Sequence, residues 1–123
     1  MQSPVKEILL IDDDPVYNEI NALLLKKLYP DINVHQTTSV DMAIEHIQRQ
    51  SSPPDLIFLD LNLPGKGGLE FIKVYRKHFN QNNIYLLSSA SQLLNKEIRQ
   101  TYKQVAGVIE KPLQEHKLKQ IMG

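Results

Sequence analysis

At 123 residues, with 41% apolar and 23% charged side chains, the chain can close one core without metals or disulfides. Lys plus Arg and Asp plus Glu both number 14, so the net charge is zero and points to neither nucleic acid nor an anionic membrane surface as a partner. Cys is absent, which excludes disulfides and thiolate zinc sites.

Met1 to Glu7 lacks the apolar core of a secretion signal, and no apolar run approaches membrane-spanning length. A cytoplasmic protein with one domain over residues 1–123 is expected. The only linker-like stretch, Gln50-Ser51-Ser52-Pro53-Pro54, is too short to separate a pair of domains.

Ile8-Leu9-Leu10-Ile11 is a short apolar run of the kind that forms a strand buried on both faces. It ends in Asp12-Asp13-Asp14. Pro15 follows, and an Asp before a Pro is a favoured helix start, so Asp14 has a structural explanation that Asp12 and Asp13 lack. The spacing predicts a helix from Pro15 to Tyr29 with Val16, Ile20, Leu23, Leu24 and Leu28 inward. Ile32 to Thr37 alternates like an edge strand, and Thr38 or Ser39 caps a second helix that turns Val40, Ala43, Ile44 and Ile47 inward.

Leu56-Ile57-Phe58-Leu59 is a second buried run, and Asp60 stands at its C-terminal tip before a Pro- and Gly-containing loop. By itself Asp60 is as readily explained as a loop-capping residue. Leu69, Ile72, Tyr75 and Phe79 mark a third helix, and Asn83 to Leu87 a fourth strand ending in Ser88-Ser89. A fourth helix is predicted through Leu93, Leu94, Ile98, Tyr102 and Val105. A fifth strand over Gly107 to Glu110 leads into Lys111-Pro112 and a last helix that buries Leu113, Leu118 and Ile121.

Five strands alternating with five helices predict an α/β fold, a flavodoxin-like (βα)5 three-layer sandwich with parallel sheet order 2-1-3-4-5. That order sets the first and third strands side by side at the switch point, so Asp12, Asp13 and Asp60 meet in one crevice. Three carboxylates there repel one another, and a hard divalent cation is the simplest compensation. Mg²⁺ takes oxygen ligands and is often held by one or two carboxylates plus a phosphate. Asp13 and Asp60 would supply carboxylates, Asp12 would act through water, and the Asn62 carbonyl would be a neutral ligand. Ser88 and Lys111 reach the same edge, and the set forms a cradle for a phosphoryl group.

These residues resemble the receiver domain of two-component response regulators (the CheY-like superfamily), and the likeness covers the whole chain. The features that carry it are the Asp12-Asp13 pair, Asp60 in Asp-Leu-Asn-Leu-Pro ending at Pro64, Gly68 eight positions on, Ser88, and Lys111-Pro112. The resemblance implies that Asp60 is the phosphoacceptor, receiving its group from a phosphohistidine on a sensor histidine kinase or histidine phosphotransfer protein. It further implies Mg²⁺ at Asp13, Asp60 and the Asn62 carbonyl, phosphate contact by Lys111, reorientation of Ser88, and a Lys111-Pro112 bond that is often cis. The protein would be a signalling phosphoacceptor with self-catalysed phosphorylation and dephosphorylation, not a turnover enzyme, acting on an unidentified output partner.

The chain departs from the family pattern at several points. Ser88 stands for the commoner Thr, with Ser89 beside it as an alternative hydroxyl. Val108 stands for an aromatic residue, Leu113 for a frequent Phe, and Lys66-Gly67-Gly68 for Met-Asp-Gly. Asn62 and Ala90, two residues beyond Asp60 and Ser88, lie where the family tunes dephosphorylation. His35, His46, His78 and His116 lack metal-ligand spacing and are read as surface residues. Lys96, Arg99 and Lys103 have the spacing of a solvated face on the fourth helix, part of the family's output surface.

Two other function classes fit parts of the pattern. Asp60-Leu61-Asn62 echoes the nucleophile motif of haloacid-dehalogenase-like phosphatases, but Asn62 cannot serve as the acid. A flavin-binding module shares the topology but needs a phosphate-cradling loop after the first strand, where this chain has three aspartates.

Overall fold

The computed structural model describes residues 5–61, 67–88 and 98–123. Five parallel strands, β1 (Glu7–Ile11), β2 (Asn33–Thr37), β3 (Leu56–Asp60), β4 (Ile84–Ser88) and β5 (Val105–Glu110), form one sheet in the order β2-β1-β3-β4-β5. The helices are α1 (Pro15–Leu28), α2 (Val40–Gln48), α3 (Gly67–His78) and α5 (Glu115–Met122). Residues 98–101 are also helical and are called α4. The expected three-layer architecture and strand order are therefore observed.

Alternation along the two central strands builds the layers. Leu9, Ile11, Ile57 and Leu59 face one core with Val40, Ala43 and Ile47 of α2 and Phe71, Ile72 and Tyr75 of α3. Ile8, Leu10, Leu56 and Phe58 face the other, with Ala22 and Leu25 of α1 and Leu118 and Met122 of α5. β3 is buried throughout and β1 from its second residue onward, and each large apolar side chain so enclosed contributes about 1.5–3 kcal/mol.

Three expectations require correction. Val16, Ile20 and Leu23 are exposed, at 65%, 56% and 61%. The face of α1 that turns inward carries Asn18, Asn21, Ala22 and Leu25 instead, with Leu24 and Leu28 partly buried. The helix is rotated because strand-end carbonyls accept the Asn18 amide, so a polar side chain takes the inner position. Val105 lies in β5 and not on a helix; its amide bonds the Tyr102 carbonyl where the chain leaves α4. His35 and His46 are half-buried, with ring centroids 4.7 Å apart, and His35 Nε2 lies 2.9 Å from Glu7 Oε1. Burial and then the neighbouring His35 depress the pKa of His46. His78 and His116 are exposed, as are Arg99 and Lys103. Leu93, Leu94 and Lys96 lie outside the described residues.

The lower end of the sheet is tied by a polar chain. Tyr75 donates its hydroxyl to Asn83 Oδ1 at 2.9 Å, and Asn83 Nδ2 donates to the Pro54 carbonyl at 2.7 Å. Burial pushes the Tyr75 phenol from 10.0 up to about 12, against the opposing pull of the Asn83 bond. The folded protein holds this proton more tightly than the unfolded chain, so stability falls as pH rises from 10.0 towards about 12. Tyr75→Phe is expected to cost about 1–3 kcal/mol at neutral pH by orphaning Asn83 Oδ1. It should also flatten some of the alkaline loss; urea titrations at neutral and alkaline pH read both effects.

Candidate acidic phosphoryl site

Four strand ends supply the site. Asp12 follows β1, Asp60 is the last residue of β3, Ser88 the last of β4, and Lys111 follows β5. Parallel register pairs Ile11 with Leu59, so the residues just beyond them, Asp12 and Asp60, stand side by side. Carboxylate oxygens of Asp12, Asp13 and Asp60 all lie within 4.8 Å of one another. Asp12 and Asp60 are each only 3% exposed, whereas Asp13 faces solvent. Lys111 extends its ammonium between the buried pair, with Nζ 3.3 Å from Asp60 Oδ1 and 3.5 Å from Asp12 Oδ2.

Local structure holds this arrangement. Asp14 caps α1, accepting from the amides of Val16 at 3.0 Å and Tyr17 at 3.3 Å. Asp12 Oδ1 accepts from the Asp14 amide at 3.0 Å. The Lys111 amide donates to the Ser88 carbonyl at 3.1 Å, which ties the start of the β5–α5 segment to the tip of β4. The Lys111–Pro112 peptide is cis. Gly68, buried in the first turn of α3, lies so close to the strand that a Cβ would meet Leu61 Cα at 3.2 Å and the Asp60 carbonyl oxygen at 3.3 Å.

The charges do not balance among the described residues. Burial, and after it the Asp60 charge, push the Asp12 carboxyl above its ordinary range, although the Asp14 amide and Lys111 pull the other way. Burial would lower the Lys111 ammonium, yet Asp60 and Asp12 outweigh it and raise its pKa. Asp12 Oδ2 is buried and has no hydrogen bond among the described residues, meeting only the Lys111 ammonium. Among the described residues, three carboxylates thus face one ammonium in a partly dry crevice. An all-oxygen donor set with an unsatisfied buried oxygen fits a hard divalent cation.

Asp12, Asp13, Asp60 and Lys111 are thus brought together, with Ser88 at the adjoining tip and Gly68 packed behind Asp60. Asn62, Pro64, Lys66, Ser89 and Ala90 lie outside the described residues. Val108 is partly buried against the core shared with α2 and α3, and Leu113 is buried beside α1 and α5.

Two residues around the site are not marked as such by sequence reasoning. Tyr17 presents its ring 5.1 Å from Lys111 Nζ and accepts the Leu113 amide at its hydroxyl, at 3.3 Å. Asn18 is buried below the Asp12 backbone. An amide at the inward i+4 position from the capping Asp14 is the available signal for Asn18; no local pattern marks Tyr17.

Residues 8–122 match the family profile described as response regulator receiver domain. A probable C4-dicarboxylate response regulator, DctR, from Halalkalibacterium halodurans is 31% identical over 90 residues, covering 73% of this chain and 38% of that protein. The nitrate/nitrite response regulator NarL of Escherichia coli is 38% identical over 82 residues, covering 66% of this chain and 37% of that protein. The chain thus spans well under half the length of these curated relatives. Among solved structures, a two component response regulator from Cytophaga hutchinsonii superposes with a TM-score of 0.84 at 26% identity, over 97% of this chain and 95% of that one. The BeF3-activated N-terminal receiver domain of Klebsiella pneumoniae RstA gives a TM-score of 0.75 at 30% identity, over 93% and 92%. None of these matches supports the phosphatase reading.

Lys111→Met is expected to destabilise the fold at neutral pH by removing the ammonium between two buried carboxylates. Lys111 is one-quarter exposed, so the loss should fall below the about 3–5 kcal/mol of a fully buried pair. Because the folded-state pKa of Asp12 is raised, its contribution becomes more favourable as pH falls through that value; the variant should regain stability on mild acidification relative to the parent. Denaturant midpoints across the acid range test this.

Proposed function

Because the chain belongs to the response regulator receiver domain family, we propose that Asp60 is its phosphoacceptor and that the donor is a phosphohistidine on a sensor histidine kinase or histidine phosphotransfer protein. The observation that carries this reading is the Lys111 ammonium 3.3 Å from Asp60, opposite the flanking acids Asp12 and Asp13. An Asp60 carboxylate oxygen forms the new bond to phosphorus as the phosphorus–nitrogen bond of the donor breaks. The donor ring reacts with its other ring nitrogen protonated, so the bonding electrons leave with it as neutral imidazole and no proton is drawn from this chain. The product is an acyl phosphate on Asp60.

Lys111 neutralises charge on the phosphoryl oxygens from the β5 side. Asp13 and Asp60 would hold Mg²⁺, with Asp12 acting through water and the Asn62 carbonyl as a further ligand. When bound, the ion supplies positive charge against the transferred oxygens and offsets the repulsion among the acids. The Ser88 hydroxyl, at the tip of β4, turns towards the phosphoryl group and biases a two-state equilibrium. The output partner then reads the β4–β5 side of the sheet, where Arg99 and Lys103 are exposed. A cytoplasmic location goes with such a donor. Among the described residues no helix is long and apolar enough to cross a membrane.

The surface beside the pocket supports a protein donor. Val16, Ile20 and Leu23 repeat at i, i+4 and i+7 and form an exposed apolar stripe on α1 that starts next to the acids. A donor imidazole can reach Asp60 only if its carrier covers the mouth of the crevice, and α1 is one wall of that mouth. Apolar residues laid out this way suit contact with a helix.

With Mg²⁺, acetyl phosphate or a phosphoramidate should add one phosphoryl mass to the protein, and Asp60→Asn should abolish the addition; labelling that persists in the variant removes Asp60 from its role. Ile20→Glu should slow transfer from the protein donor roughly tenfold or more, the effect of about 1.4 kcal/mol, while leaving acetyl phosphate labelling unchanged. Mg²⁺ at a hundredfold excess over its dissociation constant should stabilise the protein by about 2.7 kcal/mol, and Asp13→Ala should lose most of that gain in thermal melts.

A further inference from the structure

The buried Asn18 has no role in the phosphoryl chemistry described above, and nothing in its identity as a helix residue accounts for its position. Asn is a poorer helix former than Ala22 and Leu25, which share its inner face, and it occupies an inner site that an apolar residue could have filled. Only 1% of its surface is exposed. Its Nδ2 donates twice, to the Asp12 carbonyl at 3.0 Å and to the Thr37 carbonyl at 2.9 Å. The Asp12 amide also donates to the Thr37 carbonyl, at 3.1 Å. One amide group therefore clamps the C-terminal ends of β1 and β2 to the second turn of α1.

The carbonyl that Asn18 holds belongs to the peptide unit joining Asp12 to Asp13. That unit is planar, so fixing its oxygen fixes the rotation of the whole plane. The plane in turn sets where both acids leave the backbone. From the other end, the Asp14 amide holds Asp12 Oδ1 and Asp14 itself caps α1. The exposed Asp13 side chain has no comparable restraint among the described residues, and its direction is inherited from the peptide that Asn18 grips.

We infer that Asn18 is the positioning residue of the acid pair, orienting the Asp12–Asp13 peptide so that both carboxylates meet Asp60 around one divalent cation. This inference rests on the metal-dependent reading given above. Asn18 touches neither the cation nor the phosphoryl group; it acts through the backbone of two residues that do. Two hydrogens on one nitrogen, aimed at two carbonyls, are needed. Leu fills a similar volume and donates nothing, and ionised Asp has the same outline but turns lone pairs towards both carbonyls.

The test is an Mg²⁺ titration followed by amide shifts in ¹⁵N-labelled protein, below the melting range of every variant. Asn18→Leu and Asn18→Asp should each weaken binding roughly tenfold or more, the scale of outer-sphere ligand support. Acetyl phosphate labelling of Asn18→Leu should return to the wild-type extent once Mg²⁺ is saturating, so that the half-saturating concentration moves and the limiting extent does not. Tyr75→Phe, which loosens the opposite end of the sheet, controls for stability alone and should bind Mg²⁺ as the parent does. Wild-type affinity in either folded Asn18 variant, or weakening in Tyr75→Phe that matches theirs, overturns the inference. A parent protein that does not bind Mg²⁺ overturns the metal-dependent reading itself and the inference with it, an outcome distinct from the previous two.

Discussion

The Lys111 ammonium is the interaction on which the upper edge of this molecule depends. Asp12 and Asp60 end neighbouring strands and are nearly sealed from water, an arrangement that two carboxylates cannot sustain unaided. The compensating charge arrives from β5, on the far side of β4, and is steadied from below by Tyr17 and from behind by the amide bond to Ser88. Four of the five strands must therefore be in register before the charges meet. The site is a readout of the finished sheet, not of any one loop.

Even then the compensation is incomplete. Among the described residues, Asp12 keeps a buried oxygen with no donor but the ammonium, and its carboxyl is held above its ordinary range chiefly by burial. A core chosen for stability alone would replace such a group with an apolar one. Its retention, together with an inward Asn18 and an outward Val16, Ile20 and Leu23, concentrates departures from ordinary burial around one crevice and the helix that walls it. The lower half of the sheet is different: Tyr75 and Asn83 are paired, and the central strand there is uniformly apolar.

The difference between what could and could not be read from the sequence follows the same division. Leu56 to Leu59 and Ile8 to Ile11 announce buried strands because burial on both faces demands unbroken apolar runs, and strand order follows from crossover handedness once five such units alternate with helices. Asp60 alone could pass for a loop cap; it and Lys111 stood out only together, as charged residues that the strand order brings to one edge with Asp12 and Asp13. The orientation of α1 was not visible. An apolar stripe on a helix identifies a face, but either the core or a partner can claim it. Here hydrogen bonds from Asn18 to the carbonyls of Asp12 and Thr37, residues remote in one case by nineteen positions, decided the rotation. The side-by-side placement of His35 and His46 likewise depends on how α2 lies over β2, which no local pattern encodes.

Gly68 bears on how a chemical event at Asp60 would travel. The first turn of α3 rests directly on the main chain leaving β3, so close that a methyl group added at Gly68 would fit only if the backbone of Asp60 and Leu61 gave way by a few tenths of an ångström. Contact that tight has little slack to take up. A displacement of the Asp60 backbone would press on a helix held along its inner face by Phe71, Ile72 and Tyr75, so strand and helix would shift as a single lever.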